Sequence, residues 1–308
     1  MRIHKRPVGR VVLGTVALWM VLVGSASAAN TGLAFLKNGV DAHGVVFGEA
    51  MTAHVTDATA CYWNPAGLAS LDHPQLVLSH VESFADLRHE YGAIAQPLGE
   101  GGTVAGLYFN GLWTDDIDGY DSLGNPSGTF GYAAYAVGVS LSHMMMRGVQ
   151  VGVTGKYLSE SISNYSASGF AGDVGLQWVP WEDRPVRFGA AVRNIGPSIS
   201  FIDEEVDLPL TIQGGLAYIR PLDQMNGQVT VAAELRNVRD QGTSFHGGLE
   251  YDYRETLRFG VGYQDGLDTR DVSVGLGMHQ GRFAFDWAYV PVADDLGDEH
   301  RFTVRVDM

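Results

Sequence analysis

Two acidic clusters, Asp115, Asp116, Asp118 and Asp121, and Asp203, Glu204, Glu205 and Asp207, stand close enough along the chain to offer several oxygens to one cation. Calcium sites need such oxygens at fixed offsets, and Asp116-Ile117-Asp118-Gly119 is only a fragment of that pattern. Both clusters read as solvated acid. The ten His are scattered, with no pair at metal-ligand spacing on an evident helix. No Ser lies in a G-x-S-x-G turn, and no phosphate-binding loop is present. Cys61 is the only cysteine, so an internal disulfide is excluded. Beside Tyr62 and Trp63 it reads as a small apolar filler. These residues point to no enzyme, catalytic group, metal or cofactor.

The remaining ionisable residues share one face of strand-like segments. That face carries Lys156, Glu160, Asp173, Arg187, Arg193, Glu234, Arg236, Glu250, Asp252, Arg258, Asp286, Arg301 and Arg305. Both signs are mixed. Such a face could line a polar conduit or grip an inner segment. The simpler reading is a set of salt bridges that satisfy one another inside a barrel.

The elements that position these charges alternate at period two. Val149, Val151, Val153, Gly155 and Tyr157 alternate with Gln150, Gly152, Thr154 and Lys156. Leu257, Phe259, Val261 and Tyr263 alternate with Arg258, Gly260, Gly262 and Gln264. Gly260-Val261-Gly262 and Gly275-Leu276-Gly277 therefore read as lumen-facing glycines, not dinucleotide loops. Fourteen strands are expected: 75–84, 88–98, 102–112, 130–143, 148–160, 168–179, 185–193, 210–220, 227–236, 243–253, 256–264, 271–279, 282–290 and 299–306. Most have the length a tilted strand needs to cross a bilayer. Short connections, such as 99–101, 144–147 and 280–281, alternate with longer ones at 113–129, 161–167, 194–209 and 291–298. That is the pattern of a barrel with tight turns at one end and larger loops at the other. A soluble β-sandwich also alternates, but it usually buries its aromatics and presents Lys and Glu. Here one face is continuously apolar and aromatic, which suits lipid, and closure removes edges that lipid would not tolerate.

Residues 1–28 have the layout of a secretory signal peptide: Arg2, Lys5, Arg6 and Arg10, then an apolar run over 11–23, then small residues ending at Ala28. The leader holds four of the 20 basic residues and none of the 35 acidic ones, so its removal takes the formal charge from −15 to −19. That charge excludes nucleic acid as a partner and argues against simple docking on anionic lipid. Residues 29–74 are rich in Ala and Gly and precede the 75–308 barrel as a plug or cap. Asn64 before Pro65 resembles a helix start, predicting a short helix near Pro65–Ser70.

The run Trp63-Asn64-Pro65-Ala66-Gly67-Leu68 resembles the signature of the PorV/PorQ family, related to the FadL-type barrels. Weaker likenesses follow in order: Phe35 to Val40, Arg193 to Pro197, Leu208 to Leu210, Gly248 to Tyr251, Phe259 to Tyr263, Asp286 to Pro291 and Leu296 to Arg301. The chain departs from the family's usual pattern at Asp41 to Gly48 and in its Val306-Asp307-Met308 end. The resemblance implies an all-β, fourteen-stranded antiparallel transmembrane barrel of the bacterial outer membrane, with an N-terminal plug that contains the Trp63–Leu68 run. It implies either a carrier in type IX-like protein secretion or a FadL-like passive transporter of hydrophobic molecules. The partners would be outer-membrane lipid, together with secretion components and exported cargo or a hydrophobic small molecule.

Overall fold

The computed structural model describes residues 31–82, 87–115, 117–180, 185–201, 204–266, 271–292 and 297–308. The expected signal peptide, Asp116 and Asp203 lie outside the described residues.

The wall is one closed antiparallel barrel of fourteen strands. They are Gln75–Glu82 (β1), Arg88–Pro97 (β2), Thr103–Trp113 (β3), Tyr132–Met146 (β6), Val149–Ile162 (β7), Tyr165–Trp178 (β8) and Val186–Ile195 (β9). The second half consists of Thr211–Leu222 (β12), Gly227–Val238 (β13), Gly242–Tyr253 (β14), Leu257–Asp265 (β15), Val272–Gln280 (β16), Phe283–Val292 (β17) and Gly297–Asp307 (β18). Each strand pairs with its sequence neighbour in the wall, and β1 pairs with β18 from Gln75↔Asp307 to Glu82↔His300. No strand edge is left in the wall, so every ladder group that would face lipid has a partner.

The side chains divide as the alternation requires. On β15, Phe259 and Val261 are each 48% exposed, while Arg258, Gly260, Gly262 and Gln264 are buried inside. Leu276, Phe285 and Phe302 continue the outward apolar belt on β16, β17 and β18. Water would solvate this belt poorly and acyl chains would solvate it well.

Six short connections, such as 98–102, 147–148 and 281–282, define a turn end. The opposite loop end carries two extra hairpins: Ile117–Tyr120 (β4) with Pro126–Phe130 (β5), and Ile199–Phe201 (β10) with Glu204–Val206 (β11). The alternation of wall strands does not reach these polar segments, and sequence reading treats them as open loops. The expected long connection at 161–167 is corrected: β7 and β8 continue pairing to Ile162↔Tyr165 and leave only two residues between them. Small polar residues here lie above the apolar belt but still complete their ladder bonds.

Residues 31–74 fill the lumen. Thr31 bridges Asp207 at the loop end, and Met308 N–H donates to Pro74 O (2.8 Å) where the segment leaves at the turn end. Between these points the chain forms a 3-10 turn at Ala34–Lys37, two short helices, Ala42–Val46 (α1) and Ala60–Trp63 (α2), and a 3-10 helix at Pro65–Ser70. The last is the helix expected near Pro65. Asn64 Oδ1 accepts from Ala66 N–H, and Pro65 sits in the first turn, where no amide hydrogen is needed.

Candidate functional site in the plugged lumen

Trp63 ends α2 at the centre of the lumen and is completely buried. Its indole N–H donates to Asp41 Oδ1 (2.7 Å), and Asp41 Oδ2 caps α1 by accepting from Gly44 N–H (2.8 Å). Tyr62 donates to Leu36 O and Asn38 O, which fastens α2 to the end of the Ala34–Lys37 turn. Asn64 reaches both ways. Its amide donates to Thr52 O within the plug and to Leu176 O on β8. A Cβ at Gly175 would collide with Asn64, and one at Gly248 with the Phe47 backbone, so glycine lets the plug approach the wall closely at these two positions. Pro65, Ala66, Gly67 and Leu68 are buried against the wall, and Ser142 Oγ on β6 donates to Ala66 O.

Of the thirteen charges expected in the lumen from Lys156 to Arg305, seven bind the plug, Glu160 by accepting from Leu33 N–H (2.9 Å). Arg236 donates to Glu49 Oε2 (2.7 Å) and Glu49 O (2.7 Å), and pairs with Glu234 (3.0 Å). Glu234 in turn accepts from Thr52 N–H (3.0 Å). Arg301 donates to Gly39 O and to Glu299. Arg193 donates to Tyr62 O and lies 4.5 Å from the centre of the Tyr62 ring. Arg305 pairs with Asp57, and Glu250 with His43. Lys156 with Asp173 and Arg258 with Asp286 pair inside the wall itself. Arg187 has no ion-pair partner among the described residues. The lumenal charges are therefore spent mostly on holding the plug, in bonds that a charged group strengthens.

Sequence reasoning missed the neutral grips. Gln75 accepts from Ala58 N–H, Gln177 donates to Thr52 O and Val55 O, and Gln213 donates to Thr52 Oγ1 and Trp63 O. Each stands at an inward position of the alternation, which was the available signal. Also missed was a bulge where β8 and β9 slip at Gly172/Val174. There Asn194 adopts φ 61°, Asp173 accepts its N–H (2.7 Å), and its side-chain amide donates to Pro209 O. This contact holds Pro209 against the bulge, and Leu208 beside it is buried.

Three carboxylates of the acid clusters make exposed contacts. Asp115 pairs with Arg88, Asp207 with Arg239, and Asp121 accepts from Leu123 N–H and Asn125 N–H in its own turn. Cys61 is buried, and burial pushes its thiol up to about 12, so it remains a protonated filler.

The lumen has two halves. The wall of β1, β2, β3, β6, β7 and β8 contributes Val77, Tyr91, Ala93, Tyr108, Ala134, Ala136, Leu158 and Ala167 to one apolar cluster, which reaches β12 and β13 only through the small side chains of Ala217 and Ala232. Leu33, Phe35 and Leu36 of the plug and Ile199 and Leu208 of the 196–210 connection join it. The ion pairs that reach the plug lie mostly on the other side, on β13, β14 and β18, while Lys156–Asp173 bridges β7 and β8.

Two plug carboxyls give opposite pH signatures. Burial, reinforced by the Asp57 charge, raises Asp41 from 3.8 to about 6. Burial would also raise Glu49, but Arg236, Arg301 and His246 outweigh it and lower the group from 4.5 to about 2. The Asp41 contribution to stability is present below 3.8 and lost as pH rises through 6, whereas that of Glu49 is present above 4.5 and lost as pH falls through 2. Resistance to urea is expected to peak at about pH 4–5 and decline on both sides. Asp41→Asn should flatten only the limb above the peak; a flat wild-type profile between pH 4.5 and 6.5 would rule out the Asp41 assignment.

No protein-family profile matches the chain, and no curated protein does. Solved structures match its fold. The toluene transporter TbuX of Ralstonia pickettii is similar at TM-score 0.61 and 14% identity over 87% of this chain and 97% of that one. The toluene transporter TodX of Pseudomonas putida is similar at TM-score 0.62 and 12% identity, also over 87% and 97%. A FadL homologue of Pseudomonas aeruginosa is similar at TM-score 0.52 and 13% identity over 87% and 98%. The chain has the barrel fold of these proteins.

Proposed function

We propose that this chain is an outer-membrane barrel that passes small hydrophobic molecules across the membrane without an energy source, its loop end outward. The observation that carries the reading is the apolar half of the lumen. An ordinary water-filled pore has no use for a continuous apolar cluster from Ile199 and Leu208, past Leu33 and Phe35, to Tyr91, Tyr108 and Leu158. A molecule that partitions out of water does. The printed descriptions of the similar barrels, toluene transporters among them, support the same reading.

The secretion-carrier role implied by the PorV/PorQ resemblance has weaker support. It rests on Trp63 to Leu68 and on the ordered likenesses that follow, and Trp63 to Leu68 are buried in plug and wall contacts that account for their presence.

The test is uptake. In a bacterial host lacking its own barrel for hydrophobic solutes, the folded chain is expected to raise the initial uptake rate of labelled toluene but not of a sugar of similar mass. Equal toluene uptake with and without correctly inserted barrel would overturn the proposal. Recovery of secreted cargo on the barrel, with toluene uptake unchanged, would favour the carrier role instead.

A further inference from the structure

Two polar groups in the apolar half of the lumen have no partner. Tyr91 on β2 and Asn110 on β3 stand directly opposite each other in the ladder. Tyr91 is 3% exposed and Asn110 0%, and both side chains point inward. The Tyr91 hydroxyl and the Asn110 Nδ2 have no hydrogen-bond partner among the described residues. The other end of the Asn110 amide is held by His89 Nε2 (2.5 Å), which fixes the direction of the free end. Around the pair lie Tyr108, whose ring centre is 6.0 Å from that of Tyr91, and Tyr62 at 6.4 Å. Ala93 and Ala136, the ladder neighbours of Tyr108 and Asn110, complete an apolar floor.

Buried polar atoms are nearly always satisfied, and two adjacent orphans on neighbouring strands are unusual. No Lys, Arg, Asp or Glu is bonded to either group among the described residues. The pair can therefore offer two neutral donors, one of which can also accept, and no countercharge. We infer that Tyr91 and Asn110 form a recognition site for one neutral hydrogen-bond-accepting oxygen on an otherwise apolar ligand, such as an aryl ketone or a phenol. This rests on the passage reading above and narrows its substrate class. A carboxylate is disfavoured, because it would be buried without a cation. The 3-10 turn Ala34–Lys37 contributes Phe35 and Leu36 to the same cluster, so an occupant displaces that turn. Leu33 N–H to Glu160 and Lys37 to Asp240 tie the turn at the loop end.

Acetophenone and ethylbenzene make a matched pair, alike in size and differing at the carbonyl. Equilibrium dialysis of the full barrel in one detergent, with partitioning into empty micelles subtracted, is expected to give about tenfold tighter binding of acetophenone. Tyr91→Phe and Asn110→Leu should each erase most of that preference. Tyr91→Phe removes an unpaired hydroxyl and should melt no lower than wild type, so it decides the matter if Asn110→Leu fails to fold. A preference that survives in Tyr91→Phe, or equal wild-type binding of the two ligands, overturns the recognition site and leaves the passage proposal standing. Binding of neither ligand overturns both.

Discussion

Replacing Arg236 with Met is expected to cost about 3–5 kcal/mol of stability and to open an ion leak through the lumen. Arg236 is buried and touches three partners: the Glu49 carboxylate, the Glu49 carbonyl and Glu234. Those partners come from both bodies, Glu49 from the plug and Glu234 from β13. Without the guanidinium, two buried carboxylates are left with Arg301 as the remaining arginine acting on Glu49. The repulsion acts across the plug–wall interface, so the plug should loosen before the ladder melts. Urea unfolding in detergent would report the stability, and planar-bilayer conductance would report the leak. Adding Glu49→Gln and Glu234→Gln to the Met variant should restore much of both, since neutral amides need no cation. A single variant with wild-type midpoint and conductance would remove the ion cluster from any role in holding the plug.

Trp63→Ala should cost a similar amount, about 3–5 kcal/mol, for a different reason. The indole is fully enclosed, lies edge-on to Tyr62 with ring centres 4.9 Å apart, and has the Arg236 guanidinium 5.8 Å from its ring centre. Its space is made by Gly44, where a Cβ would collide with the ring, and by Gly39, where a Cβ would collide with Glu49 and press on the ring. Truncation removes that packing and leaves Asp41 Oδ1 without its donor. The cavity is mainly apolar, so added indole should bind there and raise the melting temperature of the variant, but not of wild type or Arg236→Met. Absence of rescue, together with a wild-type melting temperature, would show that Trp63 is not the centre of the plug's packing.

These two residues mark where legibility in the sequence stopped. Trp63 was singled out by its place in a recognisable run, and Arg236 by its inward position on a strand. That the two meet could not be read, because they are far apart in sequence and the path of the plug depends on how the barrel closes. Lys156 and Asp173 lie on adjacent strands, yet their pairing needs the β8/β9 bulge and Asn194 Oδ1, which also accepts from Lys156 (2.6 Å). The β4–β5 and β10–β11 hairpins stayed hidden because neither has a lipid-facing side to impose alternation. Tyr91, Asn110 and Tyr108 carried no signal as chemistry: singly they are ordinary strand residues, and only their neighbours leave two polar atoms unpaired.

The chain's alternation by itself determined the wall: lipid on one side and a filled lumen on the other allow only one period, and a wall exposed to lipid must close. Glycine placement and inward charge followed from the same constraint. Tertiary structure alone decided which charge meets which, how the 31–74 segment is held, and that one half of the lumen is apolar. Those outcomes depend on distances between residues remote in sequence, set by strand register, by one bulge and by the crossing of the plug, and no local pattern encodes them.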